Sequence, residues 1–353
     1  MDVAIVAGYF TVMLMVGWRA RRGTPDAYWV ASRTSGPVRV SASLVATIFG
    51  ASSTVGIIGL GYSRGLTGAW WSLVGGLALI PFALFLAGRI RSLGVYTLPD
   101  VLERAYGRKV SVVGGLVIAV AWCGVVAAQL IAGALLLGSV FSVGMNGALI
   151  VVTIVFVLYT LWGGQLSVIR TDSWQLLLFV GGLTAIVILV LRSGLQSGEL
   201  VSRIPTGHLD FPVSENFGWY QVLLFYPLIL GLPYLVGPDI YSRVLCARDE
   251  PSAMRASLTA ALAVIPISFL LAGLGLLIRA QFPDIPAESA LPTALAELAP
   301  AGLKGLIVVG VLGAIMSSAD TTLISAATIL SLNVLGPASE TDRSRQLLSL
   351  IHI

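Results

Sequence analysis

The sequence has little charge. Of 353 residues only 11% are Asp, Glu, Lys or Arg, against about 25% in a water-soluble domain, so this chain cannot present an all-aqueous surface. Histidine and cysteine are equally scarce, with two of each. Cys123 lies in an apolar run and Cys246 in a polar stretch, which argues against a disulfide framework. So few soft ligands also disfavour a transition-metal centre. No apolar run pairs a nucleophile with a histidine, or two carboxylates with one another, so the chain lacks visible catalytic machinery. A net charge of +4 gives no reason to expect nucleic-acid binding.

What is present is apolar. Residues of that kind make up 57% of the chain and gather into nine candidate spans, at roughly 3–18, 40–62, 68–88, 110–137, 141–162, 174–191, 219–236, 256–278 and 303–334. About 20 residues cross a bilayer, so the chain reads as an all-α polytopic membrane protein. The first run has no basic residue before it and Arg19, Arg21 and Arg22 after it, the reverse of a secretory signal, and reads as a retained span. With the N-terminus outside, sixteen of the 21 basic residues fall in cytoplasmic segments. Only Arg64, Arg192, Arg203, Arg279 and Lys304 fall outside, as the positive-inside rule requires. Trp70, Trp71, Trp162, Trp174 and Trp219 lie near span ends, where an aromatic belt is expected. The outer segment ESALPTALAEL reads as a short helix lying on the membrane surface.

Two spans carry breaks. Span 2 has Gly50-Ala51-Ser52-Ser53-Thr54 near its middle, and span 7 holds Pro227, Gly231, Pro233 and Gly237-Pro238. Proline removes a backbone donor, and such breaks survive at depth only where the freed groups face protein or a wet cavity. The two spans are five apart. Interrupted helices at matching positions of two halves point to a binding site at the midplane of a transporter.

Span 9 contains GAIMSSADTTLISAAT at 313–328, with six hydroxyls and one carboxylate. On a wheel of about 100° per residue, Ser317, Thr328, Thr321, Ser325, Ser318 and Thr322 share one arc of roughly 140° with Ala314 inside it. Ile315, Leu312, Val311, Met316 and Ala319 form the opposite face, suited to lipid or packing. Three readings of the arc stay open: back-bonding and helix packing, a water path, or coordination of a hard cation by oxygen. A cage of neutral oxygens suits sodium, and carbonyls freed in span 2 are candidate partners.

Several stretches together carry a resemblance. They are YWVASRTSG at 28–36, SLVATIFGASSTVGIIGLGYSRG at 43–65, GVYTLPDVLERAYGRK at 94–109, LWGGQLSVIRTDSWQ at 161–175, YSRVLCARD at 241–249 and GAIMSSADTTLIS at 313–325. In order and spacing the chain resembles the sodium/solute symporter family, which includes sodium-coupled sugar, proline and pantothenate carriers. The resemblance implies a LeuT-like inverted-repeat core preceded by one extra helix. Residues 1–353 then form a single transporter domain, with 3–18 as the extra helix, 40–191 as the first five-helix repeat and 219–334 as an incomplete second repeat. It implies a sodium site built from the carbonyls of Ala46 and Phe49 in span 2, the carbonyl of Ala314, and the hydroxyls of Ser317 and Ser318. It places solute contacts at Ser52, Ser53 and Tyr234, although the neighbouring sequence LGLPYLVGP does not match the sugar carriers, and it links Asp172 to cation coupling. Two further core helices would complete the second repeat, so the ending SRQLLSLIHI reads as an incomplete or misread C-terminus.

The function expected is sodium-coupled symport of a small organic solute into the cell by alternating access, in the inner membrane, with no enzymatic activity. The alternatives are a membrane sensor module of the same family and a proton-coupled carrier titrating Asp172 or Asp320.

Overall fold

The structure, a computed structural model, describes residues 1–20, 25–197, 200 and 202–335. Among these the regular elements are all helical, and seven runs are long and apolar enough to cross a membrane. Two of the seven fold back on themselves. Within Met145–Gly194 the helix breaks at Gly164, whose φ of 56° is open chiefly to glycine. Tyr159 and Thr171 then hydrogen-bond across the break, although twelve residues of continuous helix would hold them about 18 Å apart. Ser52–Ser92 is interrupted by the tight turn Gly65–Ala69. With the shorter apolar helix Pro37–Ile48 as the inner half of span 2, the described helices follow the order of the expected spans. Arg21, Arg22, Arg343, Arg345 and the terminal SRQLLSLIHI lie outside the described residues.

Both expected breaks are present. Span 2 leaves the helical region at Phe49 (φ −87°, ψ 54°) and resumes with a wide π-type turn over Ser52–Gly56. Span 7 runs through two such turns, Gln221–Phe225 and Pro227–Gly231. It becomes extended at Gly237 (ψ 126°) and restarts as Pro238–Val244. The prolines withdraw N–H groups from the ladder, and the turns widen around the missing bonds.

Span 9, Leu303–Val334, is buried along its whole apolar window. The face opposite its hydroxyls therefore meets protein: Leu312, Ile315 and Met316 are fully covered, so of the two expected roles, lipid or packing, the face takes packing. Its outer end is capped by Asp2, whose Oδ1 accepts the N–H groups of Gly302 at 2.5 Å and Gly305 at 3.0 Å. Span 8, Glu250–Gln281, is capped by Asp249. Hydrogen bonds from the hydroxyl and the backbone amide of Ser252 hold that carboxyl below the usual carboxylate range.

The outer half of span 2 crosses span 8 at backbone contact distance. A Cβ at Gly61 would overlap the Ala272 carbonyl, and one at Gly275 would overlap the Ile58 carbonyl. Small residues permit such crossings in membranes. Gly275→Ala should therefore cost about 1–3 kcal/mol through overpacking, read as a lowered thermal-unfolding midpoint of the detergent-purified protein. An unchanged midpoint would show that the two helices can part freely.

The structure corrects three further expectations. ESALPTALAEL does form a helix, Ala290–Leu298, but Ala290, Leu291, Ala294 and Leu295 are buried in the main core, so its apolar face meets protein. Trp70 is buried, its indole N–H donating to the Pro212 carbonyl at 2.9 Å, whereas Trp174 and Trp219 are exposed. Arg243, counted with the cytoplasmic loop charges, sits inside the second half of span 7 with no exposed surface.

Candidate functional site

The site grows from the break in span 2. The last ladder bond of its inner half runs from the Phe49 N–H to the Val45 carbonyl at 3.2 Å. The chain then departs from the helix, which releases the carbonyls that follow from their usual partners. The Phe49 carbonyl accepts the Thr54 hydroxyl at 2.9 Å and keeps its second lone pair. The Ala51 N–H donates to Oε1 of Gln129, on span 4, at 2.8 Å. Side chains thus satisfy the groups freed at the break, as the interior of a membrane protein requires.

Span 9 meets this break with its hydroxyl face. A Cβ placed on Gly50 would lie 2.5 Å from the Ser318 Oγ and 2.8 Å from the Gln129 Nε2, so spans 2, 4 and 9 converge at one residue. Three residues earlier on span 2, the Thr47 hydroxyl lies 3.1 Å from that of Thr321. Of the residues expected to surround a cation, Phe49 and Ser318 flank the convergence at Gly50. Ala46 and Ser317 lie one turn or less away along their helices, and Ala314 about one turn further along span 9; all are buried.

Several protons of this face are spent on other partners. Ser317 donates to the Asp172 Oδ1 at 2.7 Å. Thr321 donates to the Ser317 carbonyl and Thr322 to the Ser318 carbonyl, each at 2.7 Å. A hydroxyl that has given away its single proton offers only lone pairs to a third partner. Such oxygens, together with carbonyls, fit a hard monovalent cation, and the donor set contains nothing that would favour a softer metal.

Asp172, linked above to cation coupling, lies in the interior with no exposed surface. It accepts the hydroxyls of Ser43 and Ser317 and pairs with the Arg243 Nη2 at 3.4 Å. Arg243 also reaches the hydroxyls of Thr47, at 3.2 Å from its Nε, and Thr321. One carboxylate and one guanidinium thereby connect spans 2, 6, 7 and 9. Burying two charges is tolerated only when they are paired and further hydrogen-bonded; here they are paired, and hydroxyls bond the carboxylate and two of the three guanidinium nitrogens, Nη1 being left without a partner.

The expected solute contacts are divided. Ser53 is buried and Ser52 exposed. The Tyr234 ring packs on Gly75 of span 3, with Ser53 and Ser72 beside its hydroxyl. Ser53 and Tyr234 are thus brought together, while Ser52 is exposed.

Two residues of this region escaped sequence reasoning. Arg243 belongs to a seven-residue helix too short and too polar to register as membrane-embedded. Gln129 is a lone amide in the long apolar helix Arg108–Phe141, and a solitary polar side chain at that depth was the available signal. Asp320 is also wholly buried. Its Oδ1 lies 2.5 Å from the Thr160 hydroxyl, which joins span 9 to span 5.

Comparison with known proteins finds relatives over nearly the whole chain. The human sodium/myo-inositol cotransporter is 26% identical over 98% of this chain and 56% of its own length. The human sodium/glucose cotransporter 4 is likewise 26% identical, over 94% of this chain and 55% of its length. The sodium/glucose cotransporter of Vibrio parahaemolyticus is 24% identical over 94% and 68%. The chain thus spans little more than half the length of the two human relatives. The fold is similar to that of a Na+-coupled sialic acid symporter solved in a substrate-bound outward-open state. That match has a TM-score of 0.83 at 20% identity and covers 99% of this chain and 79% of the other. Residues 28–349 match the family described as the sodium:solute symporter family, a match that takes in both broken spans and the hydroxyl face between them, and the chain belongs to that family.

Proposed function

We propose that this chain forms the core of a secondary active transporter that couples inward sodium movement to uptake of a small organic solute by alternating access. The observation that carries the reading is the convergence of the break in span 2 with the hydroxyl face of span 9. Sodium binds there between the carbonyls of Ala46, Phe49 and Ala314 and the hydroxyls of Ser317 and Ser318. Asp172 supplies the negative field and, through Arg243, connects the ion site to span 7. Solute binds between the broken centres of spans 2 and 7, with Ser53 and Tyr234 on one side and Ser52 at the wall of the pathway. Coupling requires sodium to prefer the outward-facing state, because a ligand shifts an equilibrium only by its differential affinity. The chain sits in the cell membrane with its N-terminus outside. The family and its relatives are transporters rather than enzymes, and relatives named for myo-inositol and glucose make polyhydroxylated solutes the first to test.

The test is uptake by the full-length protein in proteoliposomes, with and without a sodium gradient, over a panel of polyols, sugars, amino acids and carboxylates. Removing one oxygen that contacts a charged partner costs about 1.5–3 kcal/mol. Ser317→Ala or Ser318→Ala should therefore raise the sodium concentration for half-maximal uptake by roughly tenfold or more. Unchanged sodium dependence in both variants would remove these residues from the site. Uptake driven by a pH gradient without sodium would replace sodium with protons as the coupling ion.

A further inference from the structure

One hydroxyl of span 9 differs from its neighbours. Thr321, Thr322 and Thr328 each donate to the carbonyl four residues earlier, the ordinary resting arrangement of such a residue in a membrane helix. Ser325 is equally buried, with 4% of its surface exposed, yet its hydroxyl has no hydrogen-bond partner. An unmet buried hydroxyl is costly and points to something that completes it.

Ser325 lines a small cavity between span 9, the inner half of span 7 and the segment following span 3. The cavity has room for about one water-sized body. Its other oxygens have also spent their protons: Thr328 on the Ile324 carbonyl, Ser242 on the Asp239 carbonyl and Thr97 on the Asn333 side chain. Four hydroxyl-bearing residues therefore line the space, together with Trp29 and Tyr96. Ser325 lies two turns below Ser318 on the same stripe of the helix, a descent of about 10 Å.

We propose that this cavity is a transit site for a partly dehydrated sodium ion, occupied after the ion leaves Ser317 and Ser318 and before it reaches the cytoplasm. The proposal rests on the sodium reading above. The ion descends a ladder of oxygens, with Thr322, whose hydroxyl donates to the Ser318 carbonyl, as the intermediate rung. Ser325 is the rung whose hydroxyl is left uncommitted, so that it can turn its lone pairs to the ion without breaking a bond to the helix.

The test uses the whole chain with Cys123→Ser and Cys246→Ser as background and Ser325→Cys as the single thiol. The thiol is labelled in vesicles of both orientations with a cationic methanethiosulfonate reagent. Labelling is expected from the cytoplasmic face only, slowed about tenfold by sodium at ten times its Kd and unaffected by choline. Labelling indifferent to sodium, in a protein whose thermal midpoint sodium still raises, overturns the transit site and leaves the sodium site standing. If sodium fails to raise the midpoint of the parent chain, both readings fall together. Uptake gives a second measure should the thiol variant fold poorly. Ser325→Ala should lower the maximal rate more than it shifts the external sodium half-saturation, and Ser325→Thr, which restores an oxygen, should recover the rate. A maximal rate in Ser325→Ala equal to that of the parent overturns the proposal.

Discussion

Arg243→Met is expected to destabilise the protein by about 3–5 kcal/mol, because it leaves a buried carboxylate without its cation. Asp172 would retain the hydroxyls of Ser43 and Ser317 but lose the charge 3.4 Å away, and Thr47 and Thr321 would lose a shared donor. The measurable outcome is a sharp fall in folded yield and thermal midpoint. Removing both charges is a different experiment. In Asp172→Asn/Arg243→Met no charge is left stranded, and replacing a whole buried pair is often nearly neutral, so most of the lost stability should return. Sodium-dependent uptake should not return with it, because the field that Asp172 directs at Ser317 is gone. A single variant as stable as the parent would show that the pair contributes nothing to the interior.

The largest effect on activity is expected from Gly50→Ala. One methyl group placed there would sit 2.5 Å from the Ser318 Oγ and 2.8 Å from the Gln129 Nε2, well inside van der Waals contact. Gln129 has a flexible end and can yield. Ser318 has one short bond to turn about on a helix buried on every side, so span 2 and span 9 must part at the proposed ion site. The stability cost of overpacking is about 1–3 kcal/mol, which leaves a folded protein. Cation coordination tolerates displacements of only a few tenths of an ångström, so sodium-coupled uptake should be lost. Gly50→Ala protein that folds, binds sodium and transports at the parent rate would separate the break from the ion site.

The sequence made the scaffold legible for a simple reason. Lipid admits long apolar helices and little else, so hydropathy marked the spans, and glycine and proline marked the two places where helices stop. The hydroxyl face of span 9 was legible because seven residues at helical spacing fell within one arc. What hydropathy cannot distinguish is an apolar neighbour made of lipid from one made of protein. That is why the face of Leu312 and Ile315 was left open between lipid and packing, and why the helix Ala290–Leu298 was laid on the membrane surface, whereas both are packed inside. Arg243 was missed for a related reason. Span 7 breaks at Gly237, and the piece beyond it, PDIYSRV, carries an aspartate, a serine and an arginine, which in isolation read as a loop. Only its packing against spans 2 and 9 reveals it as interior.

The complete burial of span 9 bears on how the molecule moves. A helix with protein on every side has no free flank along which to swing, and three anchors fix it: Asp2 at its outer end, Asp172 at its centre, and Asn333, which donates to Asp100 at 2.6 Å, at its inner end. Span 7 is the opposite case, with Leu223, Leu224, Leu228, Ile229 and Leu232 all exposed. If the proposed alternating access operates by rocking, span 9 is the expected stator and span 7 the expected rotor. Spectroscopic distance labels paired between span 9 and span 1 should keep their separation through the cycle, while labels paired between span 9 and the outer half of span 7 should report the stroke.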